Sequence, residues 1–272
     1  MNTGQLVLHQ FRYDQKTFWR EPTAVFFTVA LPLIFLFIFT SIFGNEATIV
    51  DGQRVKGSTY YVPGILALAL VSATLVNLAI TMTILRERGI LKRVRSTPLP
   101  PPVFMAARMA TSTVVTLLLV VVVTLLGRLV YGVRVPTDTL PGLVLTVAVG
   151  TAAFSALGLA LTAAIPNENA APAVTNAVVL PLYFFSGVFI PLEDLPRGMR
   201  LIGDVFPVKH LFELLLTAFN PATTGSGIEL DHLGMLVLWG VVGLVVAVRT
   251  FGWAPRAERG PGAGVRRARA RR

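Results

Sequence analysis

Thr23-Ala24-Val25-Phe26-Phe27-Thr28-Val29-Ala30-Leu31-Pro32-Leu33-Ile34-Phe35-Leu36-Phe37-Ile38-Phe39-Thr40-Ser41-Ile42-Phe43 contains no ionisable side chain. At about 1.5 Å of rise per residue, a helix of about 20 residues spans the roughly 30 Å hydrocarbon layer of a bilayer. Phe, Leu and Ile recur on every side of this segment, whereas a soluble amphipathic helix confines them to one face. The stretch therefore reads as a membrane span. Five more follow: Tyr60–Leu85, Val103–Leu126, Leu140–Ile165, Ala171–Ile190 and Leu233–Phe251. Pro32 and Pro181 fall inside spans, where packed neighbours tolerate a kink.

Composition points the same way. Of the 272 residues, 54% are hydrophobic and only 14% charged, against roughly a quarter charged in a soluble domain. Mean hydropathy is +0.69. With no cysteine, disulfides, thiolate metal sites and cysteine nucleophiles are excluded. The first apolar run is too long for the core of a cleavable signal peptide. A net charge of +10 would suggest nucleic-acid binding in a soluble chain, but here the basic residues gather in loops and the tail. Topology explains them, and no nucleic-acid partner is expected.

With the amino terminus inside, the inner segments hold Arg12, Lys16, Arg20, Arg86, Arg88, Lys92, Arg93, Arg95 and the tail from Arg249. The outer segments hold Arg54, Lys56, Arg128, Arg134, Arg197, Arg200 and Lys209. The inner set is about twice as large, which predicts cytoplasmic termini on both sides of the chain and a bacterial inner-membrane location. Residues Gln5–Glu21 set Val7, Leu8, Phe11, Phe18 and Trp19 against Arg12, Lys16 and Arg20. That suits a helix lying in the cytoplasmic interface, or else a polar lead-in to the first span. Pro191–Asp231 carries two apolar pieces too short to cross, Met199–Phe206 and Leu211–Phe219. They read as short outer helices dipping into the membrane or lying on it.

The expected fold class is thus an all-α polytopic membrane protein with six transmembrane helices. An N-terminal interfacial helix precedes them, and short outer helices lie between spans five and six. The domains are a cytoplasmic interfacial helix over 1–22, a transmembrane domain over 23–253 and an Arg-rich tail over 254–272. Gly, Pro and Arg dominate the tail, so it is expected to be disordered, with arginines available to anionic headgroups.

The spans hold almost no chemistry. Arg108 lies near the start of the third, where it can snorkel, and Glu168 lies in a short inner turn. A charge at mid-bilayer costs at least about 2.5–3.5 kcal/mol, which ion-coupled transporters accept to build a relay. No such relay of Asp, Glu and His is visible in the spans. No phosphate-binding glycine loop occurs either: Val55-Lys56-Gly57-Ser58-Thr59 lacks the preceding glycines. His9, His210 and His232 are scattered, without metal-ligand spacing. The chain is expected to be no enzyme and to hold no cofactor. Ser72, Asn77 and Asn176 are neutral polar residues within spans. They serve either interhelical hydrogen bonding or a substrate route. Ala152, Ala156, Ala160 and Ala164, four apart, form a small-residue stripe against which a neighbouring helix can close.

The most distinctive segment is Arg86-Glu87-Arg88-Gly89-Ile90-Leu91-Lys92-Arg93-Val94-Arg95-Ser96-Thr97-Pro98-Leu99. Ile90, Leu91 and Val94 share one apolar face of a short helix, and the prolines that follow end it. Such a helix under the membrane suits a groove on a soluble partner, or is only a basic topology loop. This segment resembles the E-x-G-T-L…T-P stretch of the ABC-2 type transporter permeases, especially their daunorubicin-type drug-efflux branch. Ile90 replaces the usual Thr, and Lys92 stands where an acid is common. Phe185-Ser186-Gly187-Val188-Phe189-Ile190-Pro191-Leu192 with Leu195-Pro196 extends the resemblance, as does Phe206-Pro207 with Asn220-Pro221.

The resemblance implies an exporter permease for a hydrophobic or amphipathic small-molecule or lipid substrate. It implies two permease chains, as a homodimer, paired with a separate ABC ATPase subunit that binds the ATP. Glu87, Gly89, Ile90, Leu91, Val94 and Pro98 would then be the ATPase-coupling residues. Membrane lipids would contact the spans. A non-transporting membrane scaffold or assembly factor is the alternative, and a lipid-modifying enzyme is a weaker third.

Overall fold

The computed structural model describes residues 3–50, 53–96, 99–191 and 195–255. Apolar runs become helices here because a chain crossing hydrocarbon can satisfy its backbone only from within. Five helices are long and apolar enough to cross: Pro22–Phe43, Gly57–Glu87, Val103–Tyr131, Leu140–Leu161 and Leu230–Thr250. The first comprises α2 (Pro22–Val25), a wide π turn over Phe26–Ala30 and α3 (Leu31–Phe43). Pro32 has no amide hydrogen to offer the preceding turn, and the wide turn absorbs that mismatch. The second comprises α4 (Gly57–Val71), a π turn over Ser72–Val76 and α5 (Asn77–Glu87). The two wide turns pack against each other.

α7 (Pro101–Tyr131), α8 (Leu140–Leu161) and α12 (Leu230–Thr250) supply the other long helices. The stretch expected as the fifth span, Ala171–Ile190, gives a helix of only 15 residues, α9 (Ala171–Phe185). The helix stops where Gly187 takes a left-handed φ of 86° and Tyr60 donates its hydroxyl hydrogen to the Gly187 carbonyl at 2.6 Å. By length alone α9 falls short of the hydrocarbon thickness, so the described residues supply five full-length crossings rather than six. It nevertheless runs beside the second span. Ala171 packs with Ala79 at one end, and Gly187 meets Tyr60 at the other.

The other departure from an all-helical expectation is a hairpin, β1 (Ala47–Val50) with β2 (Gln53–Lys56), paired antiparallel with Val50 opposite Gln53. It caps the first and second spans where Thr48, Ile49 and Val55 favour extended backbone.

α1 (Thr3–Trp19) forms as expected but does not lie free. It docks on the start of α7, where Asp14, fully buried, pairs with Arg108 at 3.3 Å. Gln10 donates to the same Asp14 oxygen at 2.9 Å, and the Arg108 guanidinium lies over the Phe104 ring. Arg108 is therefore a largely covered partner of α1, paired within the protein. Burial raises the Asp14 carboxyl above its ordinary range, while Arg108 and Gln10 pull it the other way. Phe18 packs into the cluster of Ala69, Ala73, Val115 and Leu119, while Leu8 and Trp19 stay exposed.

α4 is the centre of the bundle. Tyr60 through Val71 are all buried, because α3, α7 and α11 (Pro207–Phe219) surround it. α11 coincides with the second expected outer helix, and α10 (Arg197–Val205) with the first. α11 is buried against α4, α8 and α12. α10 instead leaves Met199, Leu201, Ile202 and Val205 exposed, the pattern of a helix lying on a membrane surface.

Close helix approach depends on small residues, though not on the expected stripe. Ala156 is buried, whereas Ala152 and Ala164 are exposed. The packed surface of α8 includes Ala153, Ala156 and Leu157, which meet Gly240 and Gly243 of α12. On another side of α8, a Cβ at Gly158 would sit 2.7 Å from the Leu75 carbonyl oxygen. Because backbone cannot yield as a side chain can, Gly158→Val is expected to destabilise the protein by about 1–3 kcal/mol. A thermal-unfolding series in detergent tests this, with Gly234→Val as the control. Nothing lies within 4 Å of a Cβ at Gly234, so that variant should unfold near the wild-type temperature.

Candidate functional site

The segment between the second and third long helices folds into an elbow. α5 ends at Glu87, and Gly89 adopts φ 71°, ψ 10° to start α6 (Ile90–Arg95) in a new direction. This left-handed conformation costs other residues roughly 1–2 kcal/mol. A Cβ there would meet nothing within 4 Å, so the glycine is required by its φ and not by crowding.

Two arginines clip the elbow to the turn between α8 and α9. Arg86 is buried and donates from its two terminal nitrogens to the carbonyls of Thr162 and Ile165, both at 2.8 Å. Its Nε donates to Glu87 at 2.7 Å. The two carbonyls lie at and just past the end of α8, where no further turn is available to satisfy them. A cation there also complements the negative end of the helix dipole. Arg88 pairs with Glu168 at 2.9 Å on the exposed side. Sequence reasoning counted Arg86 only as a topology charge. Nothing local distinguishes it from Arg88; its carbonyl partners are more than seventy residues away.

The expected docking face of α6 must be corrected. Leu91 is fully buried in the chain's own core with Leu78, Met82, Phe104, Leu159 and Ala247, and Val94 packs beside it. The ends of the spans leave an apolar notch there, and Leu91 and Val94 fill it. They seat the elbow, Leu91 with its whole side chain covered and Val94 half-buried. Ile90 is 36% exposed, and Lys92, Arg93 and Arg95 are exposed too. An open cleft of about 530 Å³ is lined by Glu87, Arg88, Gly89, Lys92, Arg93, Ser96 and Pro255. Pro98 lies outside the described residues.

The candidate substrate-route residues are spread along the bundle. Ser72 lies 3.5 Å from the Tyr183 hydroxyl, which itself donates to the Leu68 carbonyl. Asn77 accepts from Thr81 at 2.9 Å. Asn176 is exposed on α9. His210 and His232, scattered in sequence, are brought together with their Nδ1 atoms 2.8 Å apart.

Long apolar helices around a charged, clipped elbow define a polytopic helical membrane protein. The sequence model of the ABC-2 type transporter family matches residues 6–220, so the chain belongs to that family. It is 27% identical over 229 residues to the daunorubicin resistance ABC transporter permease protein DrrB1 of Streptomyces coeruleorubidus, covering 84% of this chain and 74% of that one. It is 25% identical over 197 residues to the putative transport permease YvfS of Bacillus subtilis, covering 72% and 78%. A putative transport permease, ycf38 of Porphyra purpurea, is 24% identical over 197 residues, covering 72% and 67%. Membership implies association with an ATPase subunit, and the similar proteins are transport permeases, one of them tied to drug resistance.

Removing Arg86 strands two buried carbonyls at the end of α8. Hydrogen bonds from a charged donor contribute about 1.5–3 kcal/mol each, so Arg86→Ala should lower thermal stability clearly. Arg88→Ala removes an exposed pair worth about 0–1 kcal/mol and should change it little. Comparing their unfolding midpoints in detergent checks the clip.

Proposed function

We propose that this chain is the membrane subunit of an exporter that carries a hydrophobic or amphipathic substrate, drug-like or lipid-like, out of a bacterial cell. Two copies pair in the inner membrane, and a separate ATPase subunit binds and hydrolyses the ATP. The observation that carries the reading is the elbow. Its exposed side offers Ile90 and a row of basic side chains, while its inner side is clipped by Arg86 and wedged by Leu91. A push on α6 is therefore handed to α5 and α8 together rather than absorbed in a loop.

In this reading the coupling residues divide into two tasks. Ile90 meets the ATPase, with Arg93 beside it. Glu87, Gly89, Leu91 and Val94 hold the helix at its angle, and Pro98 ends the segment. Both termini face the cytoplasm on the strength of the Lys and Arg asymmetry. That orientation needs an even number of crossings, which α9 and the residues after it complete as a sixth. The exposed face of α9, with Ala173, Asn176, Ala177 and Leu180, mixes small and polar groups as helix contacts in membranes do. It is where a second copy or the substrate would pass, together with Ser72 and Asn77 farther in.

Burying an isoleucine in a partner groove is worth roughly 1.5–3 kcal/mol, a factor of about ten or more in affinity. Ile90→Asp and Arg93→Glu should each weaken co-purification of the ATPase by that order while leaving membrane level and unfolding temperature unchanged. Leu91→Asp should instead lower the unfolding temperature, since it places a charge in the chain's own core. Wild-type co-purification and transport by both surface variants would mean that α6 is not the coupling element.

A further inference from the structure

His210 lies on α11 and His232 at the start of α12, twenty-two residues apart. The α12 end that carries His232 is opposite to the end near Leu91, where Ala247 and Phe251 pack. His210 is almost wholly buried. Its Nε2 lies 2.9 Å from the Asp204 carbonyl oxygen, and a carbonyl can only accept, so that nitrogen carries a hydrogen. A neutral His210 then has a bare Nδ1. The 2.8 Å contact between the two Nδ1 atoms therefore requires that His232 donate from its Nδ1. On its far side, His232 Nε2 faces the Glu229 carboxylate at 3.5 Å. Glu229 in turn accepts from the Thr217 hydroxyl at 2.6 Å, which ties the chain of contacts back to α11.

Protonation affects the two rings differently. A proton on His232 Nε2 faces Glu229 and leaves the bond between the rings intact. A proton on His210 can go only to Nδ1. A neutral His232 answers by carrying its own hydrogen on Nε2, toward Glu229, and its bare Nδ1 then accepts from His210. Only when both rings are charged do two N–H groups meet head to head, with the ring centroids 5.1 Å apart. We infer that His210 and His232 form a proton-operated latch that helps hold α11 against α12 and opens when both rings carry a proton.

The surrounding charges fit a latch that is closed at neutral pH. Asp204 of α10 and Lys209 of α11 pair with each other close by. Glu213 lies one turn along α11; Glu229 and Asp231 flank His232. The facing helices α4, α8 and α9 bring no ionisable groups except Tyr60, Tyr61 and Tyr183. Burial is the largest influence on His210 and holds it below its ordinary 6.5. The Asp204 carbonyl and carboxylate pull it upward, and His232 and Lys209 push it down. The folded contact thus binds its proton less readily than the free side chain does. Its contribution to stability is complete above about pH 6.5 and falls as pH drops from there toward the lowered value.

The chain has no cysteine, so Leu201→Cys on α10 and Val241→Cys on α12 give two unique spin-label sites on exposed positions. The double-labelled full-length protein in lipid nanodiscs should show one distance at about pH 8 and an added longer population at about pH 5, with its midpoint below the ordinary histidine range. In His210→Gln and His232→Gln the distribution should no longer depend on pH. His232 is the more exposed ring, so its variant serves if the His210 variant does not fold. A wild-type distribution that is the same at both pH values overturns the latch. So does a pH response that persists in His232→Gln. Neither result bears on the transport reading, which the labels do not probe.

Discussion

Hydrocarbon offers no hydrogen bonds, and every other feature of this chain answers to that constraint. It makes each long apolar run a helix. Where regular helix is lost, a partner is supplied at two places, while the π turn before Pro32 keeps its own wider backbone bonds and packs against the second span's π turn. The turn that ends α9 is held by the Tyr60 hydroxyl. The carbonyls that end α8 are taken by Arg86.

With no hydrophobic difference between lipid and helix, packing in the membrane depends on close approach. Glycines at 158, 240 and 243 let backbones nearly touch between α8 and its neighbours. Buried charge is used sparingly and locally: Asp14 with Arg108 docks α1, and Arg86 docks the elbow. Truncating one partner of such a pair leaves an uncompensated charge, which costs more than the pair itself contributes. These contacts therefore serve better as position markers than as sources of net stability.

The elbow brings these themes together at one end of the bundle. Its glycine sets an angle, its arginines fix that angle to α8 and α9, and Leu91 closes the notch beneath. A helix held on so many sides would, in the proposed exporter reading, transmit displacement as a rigid lever does. The histidine pair at the other end is a different kind of contact. It joins α11 to α12 beside their apolar packing and the Thr217–Glu229 bond, and its own bond depends on one shared hydrogen.

Much of the architecture was legible in the sequence, because length and hydropathy alone decide which runs can cross. The helices α1, α6, α10 and α11 were equally visible as short apolar or amphipathic pieces. The hairpin is not an apolar run and so lies outside what hydropathy reveals, although Asp51-Gly52 after Thr48-Ile49-Val50 is a strong turn signal. The length of α9 was half legible: its apolar run continues to Ile190, yet Gly187, left-handed just past the helix, is a stop signal in the sequence, and only its contact with Tyr60 was decided in three dimensions. The inward turn of Leu91 was likewise decided in three dimensions: an apolar face shows that a helix packs, not on what. Pairings such as Arg86 with Thr162, Asp14 with Arg108 and His210 with His232 join residues far apart in the chain. No local pattern encodes them, because they exist only once the helices have been brought side by side.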